Sequence, residues 1–183
     1  MNSRDYTEIL GFTSRWSELG VVTPDRLAEL GRIFERGEDP HPEHYRYYAF
    51  REYLSGSRPI DPDQCEALYS LGGEDPDPAM GRAMMHDILK LSECPDEMRE
   101  RAFASGESDL VRLVSRLRLY AELRTGLTEA TFDRIFSSGD GGAQRELLRI
   151  HPLSTAQLER LAATGATRAV RNLAAEALRS ARR

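Results

Sequence analysis

The sequence predicts an all-α protein assembled from short helix pairs, and three observations carry that prediction. Apolar residues recur at three- and four-residue steps along most of the chain, period-two alternation is absent, and helix-start and helix-stop residues return at near-regular intervals. The intervals are the most telling. Candidate N-cap positions Thr23, Asp61, Cys94, Thr128 and Ser154 are 38, 33, 34 and 26 residues apart, and a glycine (Gly37, Gly73, Gly106, Gly139, Gly165) follows each by 11 to 14 residues. Spacing of that size matches one helix–turn–helix unit. The expected organisation is a single domain over residues 1–183, with an N-terminal capping helix in 1–20 and repeats at roughly 21–57, 58–91, 92–125, 126–150 and 151–183.

The elements follow in order. Tyr6, Ile9, Leu10, Phe12, Trp16 and Leu19 predict one helix over residues 3–19 with a broad apolar face, stopped by Gly20. Trp16 is read as core. Thr23-Pro24 is a cap followed by proline at the first helical position, and the stripe Leu27, Leu30, Ile33 and Phe34 runs to Gly37. The link Gly37–Pro42 (GEDPHP) opens a helix to Leu54 that carries Tyr45, Tyr48 and Tyr53, and Ser55-Gly56-Ser57 closes the pair. Asp61-Pro62 then caps a helix bearing Cys65, Leu68 and Leu71. The link Gly73–Pro78 (GEDPDP) leads into Met80, Met84, Ile88 and Leu91. The two links agree at five of six positions and lie 36 residues apart, a literal repeat and the strongest one in the chain.

Three pairs with shorter links complete the series. Cys94-Pro95 starts a helix ending near Gly106, with Cys94 at the cap and partly exposed, and Ser108 starts a longer one through Leu123. Thr128 caps a helix with Phe132, Ile135 and Phe136. The glycine-rich Gly139-Asp140-Gly141-Gly142 reads as a link, and Gln144–Ile150 as the helix after it. Ser154 caps the last pair, with Leu158 and Leu161, then Val170, Leu173, Ala174 and Leu178; Arg179, Arg182 and Arg183 close it in polar residues. Arg46, Arg82, Arg112, Arg145 and Arg171 stand nine, nine, six, six and six residues after the five glycines, so one arginine keeps register with each second helix.

With that register in place, the chain resembles HEAT-like helical repeats, including the leucine-rich-variant and ARM-like kinds. The residues that carry the resemblance are Ala169-Val170-Arg171-Asn172-Leu173-Ala174 and Leu110-Val111-Arg112-Leu113-Val114; the units with Tyr45-Arg46 and Gly81-Arg82 depart from the pattern. The resemblance covers about residues 21–180. It implies a right-handed α-α superhelix, a short solenoid whose second helices line a concave face. It also implies that the register arginines form a structural ladder, since a planar guanidinium satisfies several acceptors at once. The concave-face binding candidates are then Tyr47, Arg51, His86, Lys90, Arg116, Arg118, Arg149 and Arg179, which lie outside the ladder.

Composition narrows the function classes. Residues 1–98 carry 20 acidic and 10 basic side chains, and residues 99–183 carry 10 acidic and 15 basic, so a net charge of −5 hides a basic C-terminal half. That asymmetry suits an acidic partner. Apolar runs are too short for a membrane span, the N-terminus lacks a secretory pattern, and two cysteines are too few for a disulfide framework, so a cytoplasmic protein is expected. His41 and His44 have H-x-x-H spacing without further ligands in a regular motif, and the glycine-rich phosphate-binding and nucleophile-elbow motifs are absent. The expectation is a non-catalytic module without cofactor or metal that binds a protein partner. The alternative is a nucleic-acid-binding HEAT-like protein that uses the basic C-terminal half.

Overall fold

A computed structural model describes residues 6–56 and 59–181. The expected start of the first helix at residues 3–5, the closing Ser57, and Arg182 and Arg183 lie outside the described residues. Among those described, all regular structure is α-helical, as the sequence predicts. In chain order the helices are α1 Tyr6–Leu10, α2 Ser14–Glu18, α3 Pro24–Glu35, α4 Pro42–Leu54, α5 Pro62–Gly73, α6 Pro78–Leu89, α7 Asp96–Ala104, α8 Ser108–Thr125, α9 Glu129–Ser137, α10 Gly141–Ile150, α11 Thr155–Thr164 and α12 Arg168–Ala181.

Local chemistry explains the helix starts. The side chains of Thr23, Asp61, Thr128 and Ser154 each accept the backbone N–H three residues on, and Asp61 and Ser154 complete capping boxes with Gln64 and Gln157. The fifth cap falls elsewhere: Pro95 holds that position in α7 and Cys94 is buried at 3 % exposure, against the partial exposure expected of it. Burial pushes the Cys94 thiol up to about 11. The repeated links share a turn as well as a sequence. Asp39 accepts the N–H of His41 at 3.0 Å, and Asp75 accepts that of Asp77 at 2.8 Å.

Two predicted boundaries change. The expected first helix breaks into α1 and α2 at Gly11, whose φ of +70° favours glycine and whose absent Cβ leaves room for the Arg46 guanidinium 2.8 Å away. The expected link Gly139–Gly142 is half helix: Asp140 caps α10 by accepting the N–H groups of Gly142 and Ala143, and both Gly141 and Gly142 join its first turn.

The chain divides into two compact units, Met1–Ser105 and Gly106–Arg183, so α7 falls in the first and α8 in the second. In the first unit, α1 packs on α3 and α4, α4 on α6, and α5 along α6. Trp16, 2 % exposed, meets Phe12 and Phe50 edge-on within this core. Gly72 and Gly81 bring α5 and α6 together so closely that a Cβ on Gly81 would sit 2.3 Å from the Gly72 carbonyl oxygen. In the second unit, α10 packs on α8, α9 and α12, and α11 along α12. Its core joins Leu123, Phe132, Ile135, Leu147, Leu161 and Val170.

Candidate binding surface

The five register arginines differ in burial and in partners. Arg46 on α4 is buried and forms a two-pronged bond to Asp75, at 2.8 and 2.9 Å, while its third nitrogen donates to the Leu10 carbonyl at 2.6 Å. It therefore ties the end of α1 to the link between α5 and α6. Arg171 is half-buried and donates to the Gly165 carbonyl at 2.6 Å. Arg82, Arg112 and Arg145 are exposed.

In the second unit the buried bridging residue is Gln144, one position before Arg145. Its amide donates to the Phe136 carbonyl at 3.0 Å, and its oxygen accepts the Ala166 N–H at 2.8 Å. Gln144 thus joins the end of α9 to the link between α11 and α12, as Arg46 joins its own neighbours. Gln144 was not singled out from the sequence, because a lone glutamine beside an in-register arginine carries no pattern.

Three of the four N-terminal binding candidates converge on one carboxylate. Tyr47 donates to Asp87 Oδ2 at 3.0 Å, Lys90 reaches Oδ1 at 3.0 Å, and Arg51 Nε lies 3.6 Å from Oδ2 while its guanidinium sits over the Tyr47 ring. The single charge of Asp87 offsets one of the two cations, Lys90 at 3.0 Å being the nearer. His86 is half-buried on α6.

The C-terminal candidates divide differently. Arg116 is paired with Asp140 at 2.7 Å, and Arg149 with Glu146 at 2.8 Å. The hydrogen bond from Arg116 to Asp140 raises the guanidinium's pKa. Burial alone would raise the Asp140 carboxyl, but the N–H groups of Ala143 and Gly142 together with Arg116 hold it below the usual range. Arg118 is half-buried and Arg179 exposed.

By contrast, Arg112 and Arg145, placed in the ladder by register, meet no carboxylate within ion-pair distance among the described residues. Helix geometry accounts for Arg145: Glu146 is adjacent in sequence and points away, whereas Arg149 lies three residues on and shares its face. The pairing of Arg116 across 24 residues was invisible in the sequence.

Arg112 and Arg145 line a depression of about 400 Å³ together with Arg116, Asp140 and Thr167. Arg145 also lines a second cleft of about 360 Å³ between α10 and α12, floored by Leu148, Leu173 and Ala177 and edged by Arg149. Leu173 is 46 % exposed and so presents apolar surface at this cleft. The first unit has a cavity of about 420 Å³ lined by Val21, Ala49, Tyr53 and Ile60, but its one cation, Arg26, is already bonded to Glu29 and Glu52 at 2.8 Å.

The His41 and His44 rings lie 5.0 Å apart with their planes tilted by 42°, and each turns a ring nitrogen to a carboxylate, Glu43 at 3.3 Å and Asp39 at 2.7 Å. The bond from His44 lowers the Asp39 pKa. Among the described residues no group of three or more His, Cys, Asp or Glu side chains is arranged to hold a metal ion, and no helix is long and apolar enough to cross a membrane.

The fold so defined is that of an all-α protein with consecutive capped helices, and its second unit carries a basic and apolar surface. Comparison with protein-family models, curated proteins and solved structures finds no match to this chain.

Proposed function

We propose that the chain is a non-catalytic protein–protein interaction module of the HEAT-like helical-repeat kind, and that its second helices carry the binding face. Recurring caps, the repeated GEDP turn and the closely packed pairs α5–α6 and α11–α12 support the architectural part of this reading. One observation carries the functional part. The α10–α12 cleft pairs an exposed apolar floor at Leu173 with the guanidinium of Arg145, which has no acidic partner of its own. An apolar anchor beside a cation is the chemistry of a protein-binding patch, where apolar burial supplies affinity and charge supplies orientation.

Nucleic-acid binding is the second reading, favoured by the same free arginines and by 13 basic against 9 acidic residues in 106–183. A phosphodiester backbone, however, leaves the Leu173 cleft unused. Affinity capture with the native chain and with Leu173→Glu, alongside a salt-titrated duplex DNA assay, separates the two. The protein-binding reading expects specific partners to be lost from Leu173→Glu at unchanged helicity. Tight DNA binding that weakens steeply with salt and is indifferent to Leu173→Glu would overturn it.

A further inference from the structure

The depression lined by Arg112, Arg116 and Arg145 has an unbalanced inventory of hydrogen-bonding groups. Both Asp140 oxygens are committed: Oδ1 accepts the N–H groups of Gly142 and Ala143, and Oδ2 accepts from Arg116. The N–H groups of Gly142 and Ala143 are therefore used, and Arg116 is neutralised. Ser138 donates to the Ile135 carbonyl and accepts from Asp140 N–H, so it too is spent.

What remains consists almost wholly of donors. Arg112 offers its whole guanidinium; Arg145 offers everything but Nε, which donates to the Gly141 carbonyl at 3.3 Å. Thr167 accepts the Val170 N–H and keeps its own proton to give. Three arginines against one aspartate leave two positive charges without a counterion in a concave site.

From this geometry we infer that the Arg112–Arg145 depression is a subsite for an oxyanion, a phosphoryl or carboxylate group, carried by the docking segment of the protein partner. The inference rests on the protein-binding reading above. Because Arg145 lines both cavities, the oxyanion and an apolar side chain seated over Leu173 and Ala177 belong to neighbouring positions of one segment. Two guanidiniums match a phosphoryl dianion in charge and a carboxylate in fork geometry, and charge-assisted bonds of this kind are the strong ones.

The test uses the full chain. Calorimetry measures binding of a short peptide with phosphoserine a few residues from a leucine, of the same peptide with glutamate in place of phosphoserine, and of the version with the leucine changed to alanine. Inorganic phosphate serves as competitor. The phosphopeptide should bind tightest, and phosphate should compete with it. Combined Arg112→Ala and Arg145→Ala should weaken it about tenfold or more. Arg124→Ala, an exposed arginine of the same unit, should change it less than about twofold. Circular dichroism confirms that the variants keep their helices.

Equal weakening by Arg124→Ala would reduce the effect to bulk charge and overturn the subsite. Peptide binding that survives loss of Arg112 and Arg145 would overturn the subsite and leave the docking cleft standing. Phosphate binding that needs both arginines, with no preference for the peptides, would leave the subsite standing and overturn the docking reading. Duplex DNA binding tighter than every peptide would overturn the protein partner in favour of nucleic acid.

Discussion

The units Met1–Ser105 and Gly106–Arg183 face the same packing problem and answer it with different chemistry. Each must tie a helix end to a following inter-helix link through a side chain with no access to water. The first uses the ion pair of Arg46 and Asp75, the second the neutral amide of Gln144. Their surfaces differ in the same direction. Residues 1–105 hold 21 acidic and 12 basic side chains, a net of −9, whereas residues 106–183 hold 9 and 13, a net of +4. In the first unit most of the described cations are drawn into pairs, including one in the core, although Arg32 and Arg82 meet no carboxylate among the described residues. In the second a larger share is left over, Arg112 and Arg145 among them. Charge free for a partner is thus set by what internal pairing leaves behind, and a count of arginines does not reveal it.

The comparison is broken most directly at Arg46. Arg46→Ala leaves the Asp75 carboxylate buried alone and should cost about 3–5 kcal/mol in chemical denaturation. Pairing Arg46→Met with Asp75→Leu should recover more than half of that loss, since two buried charges vanish together. An additive double variant would show that the pair is not the source of the cost.

Gln144→Leu is the matched change in the second unit and should cost less, about 1–3 kcal/mol, because it strands the Phe136 carbonyl and the Ala166 N–H without burying a charge. A loss as large as that of Arg46→Ala would erase the distinction between ionic and neutral bridges.

Asp140 sharpens the comparison in two ways. Its folded-state pKa lies below the ordinary carboxylate value, so the stability it contributes is complete above about 3.9 and is lost as pH falls through the depressed value. Asp140→Asn should flatten that acid limb, with a stability change at neutral pH of about 1 kcal/mol because the cap acceptor survives. The same change frees Arg116 and should tighten inorganic phosphate binding severalfold, a gain that titration of native and variant protein would detect.

The smallest expected effect is at the cysteines. Cys65 and Cys94 are 0 % and 3 % exposed, and burial raises both thiols. Neither should react with a disulfide reagent in mildly alkaline buffer until denaturant is added. Rapid labelling of native protein would show that the first unit opens readily.

Much of the fold was legible in the sequence. The caps at Thr23, Asp61, Thr128 and Ser154 work over three residues, and amphipathic stripes work over four, so both are visible in short windows. Misjudged boundaries had local causes of a subtler kind: the left-handed turn at Gly11, and an aspartate cap that turned two glycines of a supposed link into helix. The binding surface was less legible. Register grouped Arg112 and Arg145 with Arg46, although their surroundings differ in burial and charge.

The all-α class, most helix starts and the basic bias of the C-terminal half were determined by the sequence alone, because propensity, capping and net charge are properties of adjacent residues. Which arginines are spent and which are free was decided only by tertiary structure. Asp75 lies 29 residues from Arg46 and Asp140 lies 24 from Arg116, and a carboxylate neutralises the cation that the fold brings within reach, whatever its distance along the chain.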